Sequence, residues 1–297
     1  MFSGSMVAIV TPMLNTGAID YERLGQLIEW HIACQTEALV ILGTTGESAT
    51  ISEQERTKLV PWVIDRVNNR LPVIVGTGSN VTEQSIERTL NAQSQGADAC
   101  LLVTPYYNKP TQDGLFQHFS AIATEASIPQ ILYNVPSRTG IDLSVECTVR
   151  LNQAHGNIVG IKDATADWVR MRALKEMTDL ELYSGDDLTA FDFIHAGGQG
   201  VISVTANVFP KVMSQMVSSL LAGDIEAARN INSQLLPWYR LLFIESNPIP
   251  SKWMLEKMGK IEQGIRLPLT WLSKTAQQTL KHHMASCDLI KEEGICV

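Results

Sequence analysis

Asn157-Ile158-Val159-Gly160-Ile161-Lys162 is a short apolar run closed by a charge. It is too short for an amphipathic helix and reads as a buried β-strand ending on a lysine. A lysine at the mouth of such a strand must be solvated, paired or used. If it is used, desolvation lowers its pKa and frees a neutral amine to attack a carbonyl. Taken alone, a strand-closing lysine is most often a solvated boundary residue, so the weight falls on its neighbours.

Working outward, one strand earlier, Pro129-Gln130-Ile131-Leu132-Tyr133-Asn134-Val135-Pro136 sets a tyrosine at the equivalent strand end. Similar runs recur about every 20–35 residues, the rhythm of strands separated by crossover helices. They span 6–11, 38–42, 72–76, 99–104, 130–134, 158–162, 180–184 and 201–205. Helix-period segments lie between them, including 21–34, 52–68, 142–151, 167–177 and 186–196. The second opens with Ser52-Glu53-Gln54-Glu55, a capping box with Ser52 at the N-cap and Glu55 at N3. Eight strands alternating with helices predict an α/β chain closed into a (β/α)8 TIM barrel. An open doubly wound sheet is the alternative, but no GxGxxG opens the first helix. Beyond the eighth unit, helix-period segments cover 210–222, 224–245, 252–258 and 271–284, with Asn247-Pro248-Ile249-Pro250 between two of them. The expected organisation is a catalytic barrel over 1–223 and a small C-terminal helical domain over 224–297, contributing to assembly, with a frayed end at 291–297.

Composition narrows the function classes. Hydrophobic residues make up 45% and charged residues 18%, as in a globular protein with a large core. The formal charge of −8 argues against a nucleic-acid partner, which demands basic patches. The five cysteines (Cys34, Cys100, Cys147, Cys287, Cys296) show no CxxC spacing, and the histidines no HExxH, so neither a disulfide framework nor a metal site is indicated. The N-terminus lacks a basic n-region and no apolar run is long enough to span a bilayer. The expectation is a cytoplasmic protein with no membrane partner.

Barrel enzymes gather their chemistry at the C-terminal ends of the strands. Strand two ends in Gly43-Thr44-Thr45-Gly46-Glu47, whose N–H groups and hydroxyls suit a small anion such as a carboxylate, although Gly-Thr turns are also common as plain turns. Strand three ends in Gly76-Thr77-Gly78-Ser79-Asn80, which reads equally as turn chemistry. Strand four brings Tyr106-Tyr107, a pair of the kind that often anchors interfaces. Strand five brings Tyr133 and then Arg138, suited to bidentate carboxylate recognition. Strand seven ends in Ser184-Gly185-Asp186-Asp187, where the acids are read as caps of the next helix. One buried amine, several hydroxyls, an anion cradle and an arginine suit carbonyl chemistry on a small 2-oxo acid.

Gly43-Thr44-Thr45-Gly46-Glu47, Tyr133-Asn134-Val135-Pro136-Ser137-Arg138-Thr139-Gly140 and Gly160-Ile161-Lys162-Asp163-Ala164 together resemble the dihydrodipicolinate synthase family of the pyruvate-dependent class I aldolase superfamily. The resemblance runs from about residue 1 to 283. It implies condensation of pyruvate with L-aspartate 4-semialdehyde, the first committed step of lysine and diaminopimelate synthesis. It also implies a homotetramer built from two tight dimers. By this resemblance Lys162 carries the Schiff base with pyruvate, and that covalent imine replaces any cofactor. Tyr133, Thr44 and Tyr107 form a proton relay, with Tyr107 entering from the neighbouring subunit. Thr45 holds the pyruvate carboxylate, Arg138 receives the semialdehyde carboxylate, and Gly185 and Ile202 line the site through backbone groups.

Lysine-inhibited relatives bind lysine at the dimer interface. Ser48, Ala49, Asn80 and Tyr106 keep that pattern, whereas Glu53 and Arg56 stand in place of histidines and Gln84 in place of a glutamate. Arg56 would repel a cationic ligand and Gln84 cannot pair with its ammonium, so weak or absent lysine feedback is expected. Otherwise Glu53 and Arg56 are simply solvated helix positions. The rivals on this scaffold are N-acetylneuraminate lyase and 2-keto-3-deoxy-sugar-acid aldolases, which share the lysine and tyrosine. From another class, a metabolite-binding barrel without turnover is disfavoured by the intact set of Lys162, Tyr133, Thr44 and Tyr107. An FMN- or phosphate-binding barrel is disfavoured, because the ends of strands seven and eight lack an obvious glycine-rich phosphate loop.

Overall fold

The computed structural model describes residues 2–285. Eight parallel strands close in sequence order: β1 Gly4–Ala8, β2 Ala38–Ile41, β3 Val73–Gly76, β4 Ala99–Val103, β5 Gln130–Asn134, β6 Ile158–Asp163, β7 Glu181–Ser184 and β8 Gly200–Ser203. Closure is made by β1 against β8, with Met6 opposite Ile202. Outside the barrel run α1 Tyr21–Ala33, α2 Glu53–Val67, α3 Thr82–Ser94, α4 Gln112–Glu125, α5 Pro136–Thr139 and α6 Val145–Ala154. They are followed by α7 Trp168–Met177, α8 Asp187–His195, α9 Pro210–Leu221, α10 Ile225–Leu241, α11 Ile249–Lys257 and α12 Lys274–Ala285. The α/β barrel expected from the sequence is therefore the fold.

Strand residues alternate between two environments, as the period of two requires. Met6, Val40, Ile74, Leu101, Ile131, Tyr133, Tyr183 and Ile202 pack together in one buried cluster, the barrel interior. Their neighbours Val7, Leu39, Val73 and Cys100 belong to the cluster shared with the surrounding helices. Gly160 is needed at its position because a Cβ there would come within 3.0 Å of the Tyr183 ring. That ring fills the barrel floor and its hydroxyl donates to the Phe2 carbonyl at 2.9 Å. The helical cluster also takes in Leu235, Trp238, Trp253, Met254 and Leu280, so the apolar core runs without a break from the barrel into α10, α11 and α12.

Most element ends fall within a few residues of the sequence reading, and three of the differences have a clear local reason. Ile9 N–H still donates to the Val40 carbonyl at 3.1 Å, but at residues 10 and 11 side chains take over the hydrogen bonding and the strand ends. Val10 N–H donates to Asn207 Oδ1 at 2.9 Å and the Thr11 hydroxyl to the Gly46 carbonyl at 2.8 Å. The helix expected from Asp142 starts at Val145, because Ser144 caps it and Asp142 instead accepts from Asn134 Nδ2 at 2.7 Å. In the C-terminal part, α11 starts at Ile249 rather than 252, since Pro248 and Pro250 fall where a first turn needs no N–H donor. The capping box is present, with Ser52 and Glu55 bonded reciprocally. No helix among the described residues is long and apolar enough to cross a membrane. Cys287, Cys296 and the end at 291–297 lie outside the described residues.

Candidate active site

At the C-terminal ends of the strands a cavity of about 160 Å³ opens. Thr44, Thr45, Tyr133, Arg138, Lys162 and Gly185 line it together, although they come from four different strand ends. Parallel register explains the meeting: Tyr133 lies opposite Lys162 across β5 and β6, and both side chains point inward. The Lys162 amine sits 4.3 Å from the centre of the Tyr133 ring. Gly185 leaves room for it, since a Cβ there would come within 3.1 Å of Lys162 Cε.

Lys162 is only 5% exposed. Burial pulls its pKa down from the ordinary 10.5 to about 8; the Asp187 carboxylate acts the opposite way and Arg138 adds to the lowering. Tyr133 is pushed up to about 12 by burial, eased by the Arg138 charge and a hydrogen bond with the Thr44 side chain. Its phenol therefore keeps its proton at neutral pH. Arg138 stands exposed at the rim on α5, a single turn stopped by Gly140 in the left-handed conformation at φ 73°.

Tyr107 and Ile202 are not among the residues lining this cavity. The Tyr107 side chain is 90% exposed, on a backbone with φ 75°. Ile202 packs one layer down with Met6 and Ile131, and Val204 takes the lining position. Around α2 and α3, Arg56 is not the solvated residue of the alternative reading. It is buried and donates to the Ser48 carbonyl at 2.8 Å and the Gly76 carbonyl at 3.2 Å. Glu53 is ion-paired with Arg88. Gln84 accepts from the Ser79 hydroxyl at 2.6 Å, and the Asn80 carbonyl accepts from Asn108 at 2.9 Å. Ala49 lies in the 3-10 turn Ser48–Thr50, and Tyr106 is exposed beside Tyr107.

Three features escaped the sequence reading. Asp187 was expected only to cap a helix. Asp186 does that, while Asp187 is buried and accepts from Val204 N–H at 3.1 Å and Thr205 N–H at 2.7 Å. Phe243 and Asn247 of the C-terminal helical part line the cavity. Glu47, read as part of an anion cradle, is instead buried against Lys252 in an ion pair spanning 205 residues of chain. The sequence signals were Lys252 in an otherwise apolar segment and Asn247 before two prolines, neither of which points to a partner so far away. Among the described residues no group of three or more His, Cys, Asp or Glu side chains is placed to hold a metal ion.

A buried lysine with a lowered pKa, facing a tyrosine at the top of a (β/α)8 barrel, defines a lyase of the Schiff-base-forming, class I aldolase type. The chain belongs to the dihydrodipicolinate synthetase family, whose pattern matches residues 1–286. It is 54% identical over 293 residues to the 4-hydroxy-tetrahydrodipicolinate synthase of Alcanivorax borkumensis, covering 98% of this chain and 99% of the relative. It is 53% identical over 295 residues to that of Coxiella burnetii, covering 99% of each. The chloride-inhibited dihydrodipicolinate synthase of Acinetobacter baumannii, solved with pyruvate, superposes with a TM-score of 0.94 at 48% identity over all of both chains.

Proposed function

We propose that this enzyme condenses pyruvate with L-aspartate 4-semialdehyde through an imine on Lys162, the first committed step of lysine and diaminopimelate synthesis. The observation that carries the reading is the Lys162 amine, buried, lowered to about 8 and facing Tyr133 in the same cavity as the Thr44-Thr45 turn. The neutral amine adds to the pyruvate ketone, and loss of water gives the imine. Its nitrogen then serves as electron sink while a methyl proton leaves, so the chemistry asks for no cofactor. The resulting enamine attacks the aldehyde. The semialdehyde's own amine finally displaces Lys162 and closes the ring. Thr45 holds the pyruvate carboxylate and Arg138, at the rim, that of the semialdehyde. Gly185 makes room for the imine. Tyr133 shuttles the protons with Thr44, help of a kind worth about 10²–10⁴-fold.

Tyr107 completes the relay from a neighbouring subunit. A nearly fully exposed tyrosine on a left-handed backbone has no role in its own cavity and is suited to entering a partner's. The working form is then a cytoplasmic homotetramer of two tight dimers. Lysine feedback is weak, because the cationic Arg56 is fixed by the Ser48 and Gly76 backbone carbonyls. Inhibition by lysine at low concentration in the steady-state assay would refute that point.

The deciding experiment offers pyruvate with L-aspartate 4-semialdehyde, N-acetylmannosamine or glyceraldehyde in parallel, with borohydride trapping of pyruvate on Lys162 as control. Preference for the semialdehyde is expected. Preference for a sugar aldehyde would keep the imine and overturn the substrate.

A further inference from the structure

Asn247 lies 202 residues from Thr45 in the chain, yet its side-chain Nδ2 donates to Thr45 Oγ1 at 2.9 Å inside the cavity. Both residues are buried, at 5% and 2% exposure. A hydroxyl accepts through its lone pairs and has a single hydrogen to give. Accepting from an amide N–H leaves that hydrogen to be donated elsewhere. The other end of the amide makes no comparable gain: Asn247 Oδ1 is buried with no hydrogen-bond partner among the described residues. A buried acceptor left unpaired costs stability, so packing alone gives no reason for an amide here.

The surroundings hold this arrangement in place. Asn247 sits just before α11, and α11 carries Lys252, whose buried ion pair with Glu47 ties the helix to the same loop that bears Thr45. The Arg266 N–H donates to the other Glu47 oxygen at 3.2 Å. The loop and the C-terminal segment are therefore located relative to each other by contacts on either side of the Asn247–Thr45 bond.

We infer that Asn247 is a positioning residue of the pyruvate subsite, orienting the Thr45 hydroxyl as a donor to the substrate carboxylate. The inference rests on the reading of the cavity given under Proposed function. It makes the C-terminal helices part of substrate recognition and not only of assembly. It also separates two substitutions that packing would treat alike. Asn247→Ala removes the amide that orients Thr45. Asn247→Asp goes further: the carboxylate captures the Thr45 hydrogen and faces the substrate's own carboxylate with like charge.

The test measures kcat and the KM of each substrate for the wild type, Asn247→Ala and Asn247→Asp, together with thermal midpoints and borohydride trapping. Asn247→Ala is expected to raise the KM for pyruvate roughly tenfold, and Asn247→Asp roughly a hundredfold, the scale of losing a hydrogen bond to a charged group and then opposing it. The KM for the semialdehyde should stay within about twofold, because its carboxylate is met by Arg138 at the rim. The midpoint of Asn247→Ala should hold or rise, since an unpaired acceptor is removed. Pyruvate KM values alike in all three proteins would overturn the inference, as would equal rises for both substrates, which signal a collapsed pocket. Trapping in the wild type keeps the two readings apart. With trapping intact, unchanged KM values sink only the role of Asn247; without it the pyruvate subsite itself falls, and this inference with it.

Discussion

An amine that is to attack a ketone has to arrive without its proton, and the Lys162 pKa is lowered mainly by burial, with the Arg138 charge adding to it. Burial is the largest influence on it, and the nearby Asp187 works in the opposite direction. The sign of the pH dependence follows. Below about 8 the amine carries its proton and cannot attack, so kcat/KM for pyruvate should fall about tenfold per pH unit on that side. A profile flat between roughly pH 6 and 9 would show that another group limits the reaction. The same shift bears on stability. Between about 8 and the ordinary 10.5 the unfolded chain binds more protons at this site than the folded one, so its contribution to stability grows as pH rises through that window. At neutral pH the fold therefore holds a destabilised group for the sake of chemistry. Lys162→Met should abolish turnover and raise the thermal midpoint; a lowered midpoint would contradict this account. The identity of this lysine was legible in the sequence, because a charge closing an apolar strand stands out. Its partner Asp187 was not, because an acid at the start of a helix reads as a cap, and only the fold brings it beneath the β8 end.

Elements were legible wherever period and caps agree, as in α2 with its box of Ser52 and Glu55. What could not be read was which elements clasp each other. The Lys252–Glu47 pair joins α11 to the β2–α2 loop with both side chains essentially inaccessible to solvent. Removing one member leaves an uncompensated buried charge. Lys252→Met should therefore cost about 3–5 kcal/mol in urea unfolding, and adding Glu47→Leu should recover much of it. Turnover should not recover in the double variant, because Glu47 also accepts from the Arg266 N–H and fixes the loop carrying Thr44 and Thr45. A single-variant cost below about 1 kcal/mol would mean that the pair is no clasp. The same clasp explains why an element expected to serve assembly supplies Phe243 and Asn247 to the cavity. Long-range pairs of this kind leave no periodic trace in a sequence, only an unexplained charge at each end.

At the scale of the whole molecule, the question is whether one chain holds a complete site. Lys162, Tyr133 and Thr44 share a cavity, while Tyr107 projects from the surface of the same chain. A sequence shows residue types but not which copy of the chain uses them, so the proposed trans role of Tyr107 comes from the resemblance alone. Its consequence can be measured without seeing the assembly. Lys162→Ala and Tyr107→Phe should each be nearly inactive as pure proteins. If they are unfolded and refolded together, random pairing makes about half of the tight dimers mixed. In each mixed dimer one site combines the intact lysine of one subunit with the intact tyrosine of its partner, and the other site lacks both. Roughly a quarter of all sites, and of wild-type activity, should therefore return on mixing. If Tyr107 acted within its own chain, every site in the mixture would still lack one of the two groups, and mixing would restore nothing.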